Sequence, residues 1–355
     1  MGGNTASVRR RIFSGNLFRL MGNRGMTLVE LLLALAITAI VGSVAFSVFM
    51  TTNWASRTQT EVSETQQYVR IAMDRLSRDV RMAGFGLPRE TTSLTFTGGT
   101  WSAPVTITDS STGPDSVVLL GIGYKAGVLE DGGDADCNGL NDSYICLEKE
   151  NSGDKSVPDV FFPGGNFKND RRYVSLDGIA FYELATSGHG ASQKKLKIAN
   201  SGTLERAYSD GVGVYIIQAV RYTIATDFGD CSSAYPCLAT EDMTALRGSN
   251  RQVLAENIED MQLACGVDAD KDGRLDYGAS YDKTDFINNG TASATDVAAL
   301  RVSLVGRSRH PDNSRSWTSA FARPQLENRA AAGVADGYRR RSSTKVIKVR
   351  NPSQS

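Results

Sequence analysis

Apolar positions follow two regimes along the first quarter of the chain and a third beyond it. From Leu31 to Met50, twenty consecutive residues carry no charge. A run apolar all round reads as a helix buried on every side, and at about 1.5 Å per residue it is long enough for the roughly 30 Å core of a bilayer. Past Trp54 the pattern becomes one-sided: Val62, Val69, Met73, Leu76, Val80 and Ala83 recur at three- and four-residue steps. That is the stripe of an amphipathic helix docking on a core. Arg57, Glu61, Glu64, Arg70, Arg75, Arg78 and Arg81 are expected to face outward or sideways. No proline interrupts Met26 to about Ala83, and Gly42 is the only weak point, so one continuous helix is predicted. Gly84, Gly86 and Pro88 terminate it.

After Pro88 the period falls to that of strands. Candidate strands are Leu94–Thr97, Val105–Thr108, Val117–Ile122, Tyr173–Leu176, Ile179–Leu184, Leu196–Ile198, Val214–Ala225, Ile258–Cys265, Val297–Val305 and Lys345–Val349. Loops rich in Gly, Ser, Asn and Asp separate them. No Pro- or Ser-rich linker divides this region and no domain-sized repeat occurs, so a single β-rich head with long insertions is expected. The fold class is therefore α+β: a long N-terminal α-helix, membrane-spanning and then amphipathic, packed on a β-rich globular head. The 35 glycines suit turn-rich β structure.

Charge changes the picture at the N-terminus. Residues 1–25 hold Arg9, Arg10, Arg11, Arg19 and Arg24 and no acid, and positive charge before an apolar helix keeps that end cytoplasmic. A secretory signal would place its apolar core before the cleavage site. Here the basic region abuts Gly25 and the apolar run follows, so the run is expected to be retained. One acid, Glu30, stands at its mouth. An acid within a membrane helix costs about 2.5–3.5 kcal/mol even on lenient scales, so it asks for a partner. Net charge over the whole chain is +0, with 39 basic and 39 acidic residues, which gives no signal for nucleic acid.

The stretch Gly25-Met26-Thr27-Leu28-Val29-Glu30 resembles the class III signal of type IV pilins and pseudopilins, though Met26 stands where the family most often has Phe. The resemblance implies that a prepilin peptidase cuts between Gly25 and Met26, that the new amine of Met26 is methylated, and that Glu30 meets the N-terminal amine of a neighbouring subunit. Glu30 could also reach the amine of its own chain, one turn away. A second stretch, Ala72-Met73-Asp74-Arg75-Leu76-Ser77-Arg78-Asp79-Val80-Arg81-Met82-Ala83-Gly84-Phe85, resembles the helix end of PilW-type minor pilins, and more loosely that of J-type pseudopilins of type II secretion. Residues 255–263 with Gly266-Val267-Asp268, residues 297–308, Asp336–Arg341 and Val346–Val349 strengthen the PilW resemblance. It implies a cleaved leader at 1–25, a transmembrane and filament-core helix at 26–50, its amphipathic half at 51–87 and a head at 88–355.

Five cysteines in an exported head point to disulfides. Cys137 with Cys146 and Cys231 with Cys237 are candidate local pairs, and a pairing through Cys265 stays open. Two acidic loops carry the spacing of a calcium loop's front half. In one, Asp268, Asp270, Asp272, the Arg274 carbonyl and Asp276 stand at places one, three, five, seven and nine, with Gly273 at six. In the other the same places are Asp134, Asp136, Asn138, the Leu140 carbonyl and Asp142. Both lack the glutamate at place twelve, where Ala279 and Ile145 stand, and both have a later acid, Asp282 or Glu148. A structural Ca²⁺ is the expectation; solvated Asp/Asn/Gly turns are the alternative.

Few residues carry a catalytic pattern. His189 and His310 are far apart without metal-ligand spacing. Ser152–Lys155 and Ser342–Lys345 fit Ser-x-x-Lys but lack its companion motifs. There is no Walker loop and no Gly-x-Ser-x-Gly, and Arg339–Arg341 reads as a basic run beside a strand. A non-enzymatic minor type IV pilin that primes or joins assembly is the leading reading. It implies as partners other pilins and minor pilins, an inner-membrane assembly platform and the prepilin peptidase, with the head periplasmic before assembly and on the pilus afterwards. A type II secretion pseudopilin is one alternative, separable by genomic neighbours. A Ca²⁺-stabilised pilus adhesin is another; it expects that deleting residues 125–170 or 225–250 abolishes attachment and spares filaments.

Overall fold

A computed structural model describes residues 26–88, 93–130, 137–148, 160–162, 166–190, 195–244, 251–267, 286–287, 297–311, 322–332 and 336–350. The chain forms two compact units, residues 1–59 and residues 60–355. Helix α1, Leu28–Met82, runs through the division. Its bounds lie close to the predicted ones.

Within the first unit the helix is apolar on all sides, and none of its apolar stretch is buried. Its few polar side chains satisfy themselves. Thr38 Oγ1 donates to the Ala34 carbonyl at 2.7 Å, Ser43 Oγ to Ile40 at 2.8 Å and Ser47 Oγ to Val44 at 2.9 Å. A hydroxyl bonded back to its own turn can enter hydrocarbon without leaving a donor unmet.

Among the described residues the second unit contains the rest of α1 and fifteen strands: β1 Leu94–Phe96, β2 Gly99–Trp101, β3 Val105–Thr108, β4 Ser116–Val128, β5 Tyr144–Cys146, β6 Tyr173–Leu176, β7 Ala180–Glu183, β8 Lys195–Lys197, β9 Gly213–Ala225, β10 Cys237–Asp242, β11 Arg251–Glu256, β12 Ile258–Val267, β13 Phe286–Ile287, β14 Val297–Arg307 and β15 Arg340–Lys348. All named pairings are antiparallel. The larger sheet runs β11-β10-β9-β4-β3, with β6 beside β9 and β7 beside β6. The smaller runs β13-β12-β14-β15, and β1-β2 and β5-β8 form separate pairs.

The stripe read from the sequence is what packs. Val69, Ala72, Met73, Leu76, Val80 and Ala83 join one core with Val117, Leu119 and Tyr222 of the larger sheet and Met261, Leu263, Leu300, Val302 and Leu304 of the smaller. Burying a side chain such as Leu76 fully is worth about 1.5–3 kcal/mol. Gly306 makes the close approach of β14 to the helix possible: a Cβ there would lie 2.6 Å from Val69 Cγ2. At the helix end Gly86 has φ +79°, and a Cβ would lie 2.7 Å from Ile122 Cγ1, so a side chain is excluded both sterically and by backbone conformation.

One hydrogen bond ties this core together. The hydroxyl of Tyr222, fully buried, donates to Asp79 Oδ2, which also takes Arg75 Nε at 3.0 Å. Burial, reinforced by the Asp79 carboxylate, pushes the phenol above its ordinary pKa and keeps it the donor. Tyr222→Phe is expected to destabilise the protein by about 1.5–3 kcal/mol, the range for a hydrogen bond to a charged group. Chemical unfolding of the full chain in detergent measures this; a change within a few tenths of a kcal/mol would show the bond to be idle.

β9 serves four cores in succession, the last of them through Ala225, which packs with Cys231, Cys237 and Ala239. Val214 and Ile216 pack in the insertion with Phe161, Leu176, Leu184 and Leu196. Ile217 and Ala219 pack with Leu94, Phe96, Val118 and Leu120. Tyr222 belongs to the helix core. β4 follows it through two irregularities, between Ile122 and Tyr124 and between Lys125 and Gly127. The predicted strand stopped at Ile122 because Gly123-Tyr-Lys-Ala-Gly127 breaks the alternation; bulges absorb the break and pairing continues.

Candidate functional site

The helix start is held by Thr27 and Glu30. Thr27 precedes the first helical residue, and its Oγ1 accepts the Glu30 N–H at 3.3 Å. Thr27-x-x-Glu30 is a capping-box spacing, a signal in the sequence that the prediction passed over. Glu30 thus closes the first turn and stands in the positive end of the helix dipole. Met26 and Glu30 are both exposed, and so are the large apolar side chains from Leu28 to Met50. Gly25 and the leader lie outside the described residues.

The second cluster is a charged face on the smaller sheet. Met261, Leu263, Leu300, Val302 and Leu304 point to the helix core, so Asp260, Gln262, Arg301 and Ser303 point the other way. Residues 322–332 cover that outer face. Asp260, 0% exposed, pairs with Arg329 at 2.6 Å and Arg323 at 3.3 Å. Glu327 takes Arg301 Nε and Nη2 at 2.9 and 2.5 Å, and Asn328 Nδ2 donates to Asp109 at 2.9 Å. Arg340 is shared by Glu259, at 2.6 and 3.0 Å, and Asp336, at 2.7 and 2.5 Å. Sequence reasoning missed this network, because its partners lie far apart along the chain.

Asp115 pins the two sheets at the start of β4. It receives Ser110 N–H at 2.8 Å and Leu263 N–H at 2.7 Å. Burial, only partly offset by those donors, pushes its carboxyl up to about 7. A folded pKa above the unfolded value near 3.9 means a contribution fully present below about pH 4 and lost as pH rises through 7. Asp115→Asn is therefore expected to gain stability relative to the parent as pH is raised from 4 to 8. Parallel thermal unfolding across that range checks it; a pH-independent difference would contradict the assignment.

Cys137 is bonded to Cys146 and Cys231 to Cys237, each pair with Cα atoms 5.6 Å apart. Cys265 is a buried thiol, pushed by burial up to about 12. Asp268, Asp270, Asp272, Arg274 and Asp276 lie outside the described residues, as do Asp134 and Asp136. Asn138 is buried, and the expectation that it lends an oxygen to a metal meets a side chain already committed. Its amide donates to the carbonyls of Glu130 at 2.5 Å and Cys146 at 3.3 Å, and its oxygen accepts Cys146 N–H at 3.0 Å. A buried amide needs such partners. Asp142 Oδ2 accepts Gly139 N–H at 2.5 Å, and Leu140 is exposed. Among the described residues no cluster of His, Cys, Asp and Glu could hold a metal. Adding Ca²⁺ to the full chain and following thermal unfolding tests the calcium expectation: a rise in Tm reversed by chelator supports it, and no change sinks it.

His189 is packed and His310 lies at the surface. His189 stacks on Phe167 at 3.9 Å, meets the Ala185 carbonyl through Nε2 and accepts Lys197 N–H at Nδ1; burial lowers its pKa. His310 Nδ1 lies 2.9 Å from Glu61. The Arg339–Arg341 run was expected beside a strand; only Arg339 precedes β15, and Arg340 and Arg341 are its first two residues. Ser342–Lys345 lies within β15, and Ser152–Lys155 lies outside the described residues.

Residues 221–351 match the family model of type IV pilus-assembly protein W, and residues 20–46 match the prokaryotic N-terminal methylation motif. The first match takes in the end of β9 and all of β10–β15, and so the charged face. Among solved structures, the type IV-like pilin TTHA1219 from Thermus thermophilus is similar over 84% of this chain and 98% of its own, at 13% identity and TM-score 0.32. No curated protein matches.

Proposed function

From a type IV pilin-like chain of the PilW type, with a prepilin methylation motif at its N-terminus, we propose a minor pilin that primes or joins pilus assembly. The observation that carries this is the helix start: a capped turn bearing one carboxylate at Glu30, followed by an apolar helix with no buried face. The methylation-motif match spans Gly25, Met26 and Glu30. Cleavage after Gly25 puts an ammonium at Met26. In an apolar surrounding an unpaired carboxylate is expensive, and a carboxylate against an ammonium recovers much of that cost. Glu30 then draws an incoming subunit into register through a neighbour's amine. The head stays in the periplasm while the helix is anchored in the inner membrane, and moves to the filament surface on assembly. The role is structural, and the charged face holds the head's final strand in place.

N-terminal mass spectrometry of the protein from membranes, with and without its prepilin peptidase, tests the reading. A chain starting at N-methylated Met26 only when the peptidase is present supports it. A chain starting at Met1 in both cases removes the amine on which the mechanism depends.

A further inference from the structure

The smaller sheet has one long edge that no described strand covers. β15 pairs only with β14. The hydrogen bonds flanking the pairing, Ser308 N–H to the Arg339 carbonyl at 2.7 Å and Val349 N–H to the Ala298 carbonyl at 2.8 Å, show that odd-numbered residues bond inward. Antiparallel geometry alternates, so Ser342, Thr344 and Val346 aim N–H and C=O at the open edge. All three are exposed.

That edge opens on a cleft of about 400 Å³ between Arg341–Lys345 and α1. Consecutive strand residues line it, which one face of a strand cannot supply, so the cleft runs along the backbone. Val69 and Met73 form an apolar floor, and Arg70, Arg341 and Lys345 rim it with Asp74, which lies 3.9 Å from Lys345. β15 carries no acid, and of its basic residues Arg341 and Lys345 line this cleft, whereas Arg340 is already held by Glu259 and Asp336. Basic residues on an edge discourage pairing with a like edge, which argues against a second copy of β15. They favour an added strand of opposite charge.

We infer that the β15 edge takes an extended acidic segment of another protein chain by strand addition. Its backbone pairs with Ser342, Thr344 and Val346, and its acids face Arg70, Arg341 and Lys345. Main-chain bonds supply affinity in such docking and alternate side chains supply specificity.

The test uses the full chain in detergent and a synthetic peptide the length of β15, with Glu at alternate positions and Thr between. A second peptide carries Lys in place of Glu. The Glu peptide is expected to bind, to slow exchange of the Ser342, Thr344 and Val346 amides, and to weaken with salt. Ser342→Pro removes an outward N–H and leaves the ladder to β14 intact, and should cost roughly tenfold in binding. Arg341→Glu, at an exposed position, should weaken the Glu peptide and improve the Lys peptide. Equal binding of the two peptides, binding without amide protection, no binding at all, or an unaffected Ser342→Pro variant would each overturn the inference. The assay reads the edge alone, so its failure leaves the assembly reading standing.

Discussion

Glu30→Gln is expected to leave the protein at normal levels in the membrane and to remove it from sheared filaments. Gln is as good as Glu at the third position of a capping box, so the turn begun at Thr27 survives and only the charge is lost. The ammonium that Glu30 would have met is then left without a counter-ion in an apolar medium. Breaking such a pair by removing one member costs about 3–5 kcal/mol. Thr27→Ala is the complementary variant: it keeps the charge and loses the hydroxyl that takes the Glu30 N–H, at a cost of about 0.5–2 kcal/mol to the helix start. Immunoblots of membrane and filament fractions should show Thr27→Ala largely retained in filaments and Glu30→Gln absent. Filament levels of Glu30→Gln matching the parent would end the electrostatic account.

Asp260→Ala should be the most damaging single change in the head, by about 3–5 kcal/mol. Asp260 is fully buried against Arg323 and Arg329. Burial and then the like charge of Arg329 already push the Arg323 guanidinium below its ordinary pKa, against the pull of Asp260. Truncation would leave two largely buried cations facing each other. The cost belongs to the orphaned charges more than to any surplus strength of the pair. Asp260→Leu combined with Arg323→Met and Arg329→Met should therefore recover most of the loss. Chemical unfolding of the full chain distinguishes the cases. A triple variant as unstable as Asp260→Ala would mean that residues 322–332 are held by geometry which apolar residues do not reproduce.

The sequence announced what is local. The 3.6-residue stripe from Val69 to Ala83 and the stop at Gly84 and Gly86 placed the helix to within a few residues. Strands with β-branched alternation, such as Val105–Thr108 and Tyr173–Leu176, were legible for the same reason. β10 and β11 were not: Cys237-Leu-Ala-Thr-Glu-Asp242 and Arg251-Gln-Val-Leu-Ala-Glu256 have weak strand preference and are held by register, β10 on β9 and β11 on β10. Tertiary pairing overrides propensity there. The helix start was half legible, with Glu30 recognised as an acid in need of a partner and the Thr27 hydroxyl that takes its N–H overlooked. The charged face was invisible, because Asp260 gives no local sign that Arg323 and Arg329 will meet it.

β15 is the last strand of the described chain and brings Ile347 to the core that Val69 and Met73 enter from α1. As the chain emerges, Val69 and Met73 therefore wait for residues 340–348 before their core can close. β4 likewise waits for β9, across the whole insertion between them. Such non-local pairing makes folding slow. Throughout that interval an apolar helix face stands open beside unpaired strands, so the nascent head is most vulnerable to misassociation before its final segment is released. Loss of the last strand should thus be felt first as poor yield of folded protein.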